Sequence, residues 1–107
     1  MEVVIDPSVF EDMPPALKAK LIKLWMKDTT STLSELKVAV EKKDEEAVMT
    51  RLHTLKGVSA QVGAVTLSEM AATMESQGPT VSQSRKLSLL DIVFADSAAK
   101  MEQLLVE

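Results

Sequence analysis

The chain has no cysteine and no tyrosine, one tryptophan, two phenylalanines, a single histidine and three glycines in 107 residues. Without cysteine there is neither a disulfide nor a thiolate metal site. One histidine supplies too few nitrogen ligands for a typical zinc centre, so no metal and no bound cofactor is expected. No apolar run approaches the roughly 20 residues that a membrane-spanning helix needs, and the first residues lack the basic-then-apolar order of a secretion signal. Positive charge is in deficit as well, with 12 basic residues against 16 acidic ones and a formal charge of -4. Phosphate-backbone binding relies on clustered lysine and arginine, so a nucleic-acid partner is not expected. No Gly-rich phosphate loop is present, which argues against self-phosphorylation from ATP. What remains is an acidic domain, expected to be cytoplasmic, monomeric and free of membrane insertion.

With 46% apolar and 26% charged residues the chain has the composition of a folded domain and not of a disordered one. Its length suits one domain over residues 1–107. Asp6-Pro7 can cap and open a short helix to about Asp12, with Val9 and Phe10 as its buried contacts. Pro14-Pro15 starts a second helix that runs to about Lys42, carrying Leu17, Leu21, Leu24, Trp25, Leu33, Leu36 and Val40 at three- and four-residue steps. Asp44 caps a third helix that extends to about Gly63. Thr66-Leu-Ser-Glu69 reads as a capping box opening a fourth, which Gly78-Pro79 ends. After a polar loop over 80–84, a last helix from about Gln83 to Val106 buries Leu87, Leu90, Phe94, Ala98, Met101 and Leu105. No period-two alternation competes. The expected fold is all-α, an antiparallel four-helix bundle with a short extra N-terminal helix.

The only histidine lies in the third helix, beside two of the three glycines. Taking 100° per residue, Val48, Leu52, Leu55, Ser59 and Val62 form the core stripe, and His53 stands on its shoulder, partly exposed. Thr50, Gly57, Ala60 and Ala64 share the histidine's own stripe and are all small; Met49 and Lys56 flank it. This small-residue surface reads as a docking site. Gly57 follows one turn after His53, where a side chain would crowd the imidazole; Gly63 is expected to admit the neighbouring helix near the turn. Ser59 is expected to bond a backbone carbonyl in the core. In an antiparallel hairpin centred near Val65, His53 and Glu75 fall at nearly the same level, offset by about 3 Å. A carboxylate there can accept Nδ1–H, fix the tautomer and leave Nε2 as an outward-facing nucleophile. Lys56 can help to neutralise an anionic group arriving at Nε2.

His53-Thr-Leu-Lys-Gly57, followed by Ser59 and Gly63, closely resembles the signature of histidine-containing phosphotransfer (HPt) domains of phosphorelays. The resemblance extends to Asp28, Leu33, Leu36, Asp44, Gly63-Ala64, Leu67 and Met74-Glu75, and covers about residues 5 to 105. Leu52, Val58 and Gln61 depart from the usual pattern, which bears on partner preference and not on the chemistry. The resemblance implies a phosphocarrier, not an ATP-dependent enzyme. Its phosphoacceptor maps onto His53, its supporting lysine onto Lys56, its access-giving glycine onto Gly57, and the polar residue that holds the imidazole is similar in position to Glu75. The implied partners are the receiver domains of response regulators and of a hybrid sensor kinase; a module of such a kinase is the alternative context for the chain. In the alternative reading the same bundle is a non-phosphorylated adaptor that binds receivers, with His53 incidental.

Overall fold

A computed structural model describes residues 2–78 and 83–105. A 3-10 turn, Pro7–Phe10, precedes four α-helices: α1 Pro15–Glu41, α2 Glu45–Gln61, α3 Val65–Gln77 and α4 Gln83–Gln103. No strand occurs among the described residues. The four-helix bundle expected from the apolar spacing is therefore present, whereas the extra N-terminal element is only a 3-10 turn. Pro79, the 80–82 part of the polar loop and the expected helix end at Val106 lie outside the described residues.

Each helix packs on its neighbours in sequence, and α4 closes back onto α1. At 1.5 Å per residue the 27 residues of α1 make about 40 Å, close to the 42 Å long axis of the molecule. The antiparallel register is fixed by side-chain pairs. Between α1 and α2, Trp25 Nε1 donates to Ser59 Oγ at 3.4 Å and Arg51 pairs with Glu35. Between α1 and α4, Trp25 meets Phe94 edge-on at 5.3 Å and Lys37 pairs with Asp91.

Both helix turns that flank α2 use the same stop. At the end of α1, Lys43 takes φ 56°, and the amides of Lys43 and Asp44 donate to Val40 and Ala39. At the end of α2, Gly63 takes φ 76°, and the amides of Gly63 and Ala64 donate to Ala60 and Ser59. In each case a left-handed residue lets the last carbonyls find donors before the chain reverses. Asp44 then caps α2 through the amide of Ala47.

The core is built from Ile22, Trp25, Leu33 and Leu36 of α1, Val48, Leu52 and Leu55 of α2, Leu67, Ala71 and Met74 of α3, and Leu87, Leu90, Val93 and Met101 of α4. All five core positions expected of the third helix, Val48, Leu52, Leu55, Ser59 and Val62, are buried. On α1 the stripe is shifted: Leu17 and Leu24 are exposed, and Ile22, Thr29, Thr32 and Ala39 take the inward places. On α4, Val93 and Ser97 are buried while Phe94 packs only partly, and Leu105, beyond the end of α4, is likewise half-buried.

The capping box at Thr66 does not form. The N-cap of α3 is Ala64, with no side-chain cap, because the N-terminal segment takes Thr66 instead. Thr66 Oγ1 accepts from the amide of Val4 at 2.7 Å, and the amide of Asp6 donates to the carbonyl of Gly63 at 2.7 Å. Residues 3–10 thus lie across the α2–α3 turn, with Val3 and Phe10 buried. Asp6 caps the 3-10 turn through Ser8, whose hydroxyl and amide hold its carboxyl below the usual range.

Candidate functional site

His53 occupies the third turn of α2, on regular helix two turns before the C-terminal stop. Its neighbours Leu52 and Leu55 are fully buried, which fixes the helix face and turns the imidazole outwards. The imidazole side chain is 69% exposed. Nδ1 lies 2.9 Å from Glu75 Oε2 on α3. Lys56, one turn further along α2, donates from Nζ to the other oxygen of the same carboxylate, Oε1, at 2.6 Å.

Glu75 is the hinge of this arrangement. Met74 beside it is buried in the core, so the following residue falls on the flank of α3 that faces α2. The Lys56 hydrogen bond is the largest influence on Glu75 and holds its carboxyl below the usual carboxylate range; the His53 bond acts in the same direction, against a partial loss of water. An ionised carboxylate can only accept. The hydrogen between Glu75 and the ring therefore sits on Nδ1, an arrangement that in the neutral tautomer places the lone pair on Nε2.

Around this cluster Thr50, Gly57 and Ala60 are exposed and Met49 and Lys56 half-buried. A Cβ built on Gly57 meets nothing within 4 Å, so no packing demand explains a glycine there. Ala64 departs from the expected docking stripe. It is fully buried at the N-cap of α3, because α2 ends at Gln61 and the helical spacing that placed it beside His53 stops with it. Gly63 is placed differently too. A Cβ there would collide with the carbonyl oxygen of Asp6, so the chain that approaches it is the N-terminal segment and not a neighbouring helix. Ser59 is buried and accepts the indole N–H of Trp25, where a backbone carbonyl partner was expected.

Sequence reasoning missed one member of the hairpin. Ser68 Oγ donates to the carbonyl of Lys56 at 2.9 Å and so fastens α3 to α2 beside the site. Ser68 and Glu75 are seven residues apart, hence on one face of α3; that polar pair was the available signal.

The Hpt domain family model matches residues 20–105, most of the chain. The chain belongs to the Hpt domain family. No curated protein and no solved structure matches it. Hpt domains are helical bundles, and membership implies histidine phosphotransfer in two-component phosphorelays. They meet the receiver domains of response regulators. In this Hpt domain no helix among the described residues is long and apolar enough to cross a membrane.

Proposed function

We propose that the protein is a phosphorelay intermediate that takes a phosphoryl group from a receiver aspartyl phosphate onto Nε2 of His53 and passes it to the aspartate of a second receiver. The observation that carries this reading is the 2.9 Å contact between Glu75 and Nδ1 of the exposed His53, the only histidine, which in the neutral tautomer leaves the lone pair on Nε2. In the forward step Nε2 attacks phosphorus in line, the N–P bond forms, and the P–O bond breaks with its electron pair returning to the aspartate carboxylate. No proton need leave the ring. Nδ1 keeps its hydrogen, the imidazole takes up positive charge, and the Glu75 carboxylate offsets it. The reverse geometry delivers the group to the next receiver.

Lys56 has two parts in this scheme. It keeps Glu75 anionic, and it adds positive charge beside the place where the phosphoryl oxygens arrive. Gly57 and the small residues Thr50 and Ala60, with Met49, form the surface on which a receiver docks. The receiver supplies Mg²⁺ and most of the electrostatic stabilisation, so the bundle needs only to position its nucleophile. This makes the protein a phosphocarrier without an ATP site, working in the cytoplasm with the receiver domains of response regulators and of a hybrid sensor kinase as partners.

The test is incubation with a radiolabelled phosphorylated receiver. The reading expects acid-labile, base-stable label on the wild type and none on His53→Gln. A wild type that binds several receivers without becoming labelled would instead be an adaptor.

A further inference from the structure

A serine or threonine inside a helix usually turns its hydroxyl back onto a carbonyl of the preceding turn. Thr30, Thr73, Ser76 and Ser97 do so, each donating to a carbonyl three or four residues earlier. Ser68 has the same choice, since the Ala64 carbonyl lies one turn before it and accepts its amide. Its hydroxyl instead crosses to α2 and donates to the backbone carbonyl of Lys56 at 2.9 Å. That carbonyl does not depend on the bond. Lys56 lies inside α2, so helix geometry already gives its oxygen the amide of Ala60 as a donor, and a second lone pair remains. What the bond adds is a fixed position of α3 against α2.

Lys56 is thereby held to α3 at both ends. Helix carbonyls point towards the C-terminus, whereas side chains lean towards the N-terminus. The Lys56 carbonyl therefore faces the α2–α3 turn and meets Ser68 in the first turn of α3, while Nζ reaches the other way to Glu75 Oε1 at 2.6 Å. Ser68 and Glu75 are seven residues, about 10 Å, apart along α3. A slide of α3 by about 1.5 Å, the rise of one residue, would stretch one of the two bonds beyond hydrogen-bonding range and crowd the other.

Glu75 needs that setting. It lies in the last turn of α3, and its two oxygens serve two donors on α2, Nδ1 of His53 at 2.9 Å and Nζ of Lys56. Leu67, Ala71 and Met74 keep α3 on the core, but apolar burial is non-directional and does not by itself choose the axial position. We propose that Ser68 is a positioning residue for phosphoryl transfer: by tying the first turn of α3 to the Lys56 carbonyl, it sets the register at which Glu75 reaches both His53 and Lys56. The proposal rests on the phosphorelay reading above and adds to it a residue that touches none of the reacting atoms. With the tie in place the carboxylate keeps the ring hydrogen on Nδ1. Without it the carboxylate can follow Lys56 and leave the ring, so that both neutral tautomers are populated and only one of them attacks through Nε2.

The experiment compares the wild type, Ser68→Ala, Glu75→Ala and the double variant in single-turnover transfer from a saturating phosphorylated receiver. Ser68→Ala should fold, because alanine favours helix and no carbonyl loses its only donor. Its transfer should be slower by about threefold, as expected where one hydrogen bond acts in part, with the receiver concentration at half-maximal rate unchanged. In the Glu75→Ala background the same substitution should change nothing, since the residue through which it acts is gone. A second measurement uses no receiver. In mildly alkaline buffer the ring ¹⁵N spectrum of the unphosphorylated wild type should show hydrogen on Nδ1, and that of Ser68→Ala should shift towards a mixture of tautomers. Equal transfer and equal ring spectra in the wild type and Ser68→Ala overturn the proposal. So does a slowing of the same size with and without Glu75, which would place the effect of Ser68 elsewhere in the fold. A wild type that takes no label from any receiver overturns the phosphorelay reading, while the ring spectra still decide whether Ser68 sets the Glu75 contact.

Discussion

Gly57 and Gly63 are six residues apart in sequence and stand in opposite surroundings. Around Gly57 there is open space, an exposed imidazole one turn away and a ring of small side chains. Around Gly63 there is no space: the backbone is left-handed, the residue is buried, and the Asp6 carbonyl presses against the place of its missing side chain. The first glycine weakens a helix by about 0.5–1 kcal/mol relative to alanine, with no structural return. The second is required by the turn it makes. Gly63 thus holds the fold, whereas Gly57 serves no packing need, and its proposed part is to keep a docking surface clear.

That division can be broken from either side. The largest effect is expected from Gly57→Leu, which should fold, and melt no lower than the wild type, yet lose nearly all transfer from a receiver. Normal transfer by this variant would refute the access argument. Next comes Gly63→Ala. A Cβ in the left-handed region costs roughly 1–2 kcal/mol before any collision is counted. With the Asp6 carbonyl also displaced, the melting temperature should fall by about 10 °C, while His53 can still be phosphorylated well below the transition. Unchanged melting in circular dichroism would show that the N-terminal segment is not anchored there.

Glu75→Ala should act mainly on the chemical side, slowing transfer roughly tenfold through the loss of a charge-assisted hydrogen bond to the ring. An unchanged rate would remove Glu75 from the mechanism. The smallest effect is one of pH. Lys56, and then His53, depress the Glu75 carboxyl, so the folded state gains from its ionisation above the ordinary glutamate value and loses that gain as pH falls through the lower folded one. The difference in melting temperature between wild type and Glu75→Gln should therefore shrink below about pH 4. A difference that grows in acid would reverse the assigned cause.

Much of this architecture is written in local patterns. The α2 core stripe was legible because five apolar or small residues keep strict helical spacing between two clear punctuation marks, Asp44 and Gly63. Helix level arithmetic placed Glu75 opposite His53 because the turn between them is short. Long-range contacts were not legible. Thr66 reads as a cap from its neighbours, yet Val4, 62 residues earlier, claims its hydroxyl. Ala64 reads as a face residue only if the helix continues, and the same glycine that stops it was read as a helix-packing site. Leu17 and Leu24 follow the apolar period of α1 but lie on its outer side, since a 27-residue helix longer than its neighbours need not bury one stripe from end to end. Where a residue's partner is local, spacing decides; where the partner is the other end of the chain, only the folded structure does.

The most direct test of the central claim is the nitrogen that carries the phosphoryl group. A ¹H–¹⁵N long-range correlation spectrum of the phosphorylated protein should show phosphorus on Nε2 of His53 with Nδ1 still protonated. Phosphorus on Nδ1, or on any residue other than His53, would contradict the account.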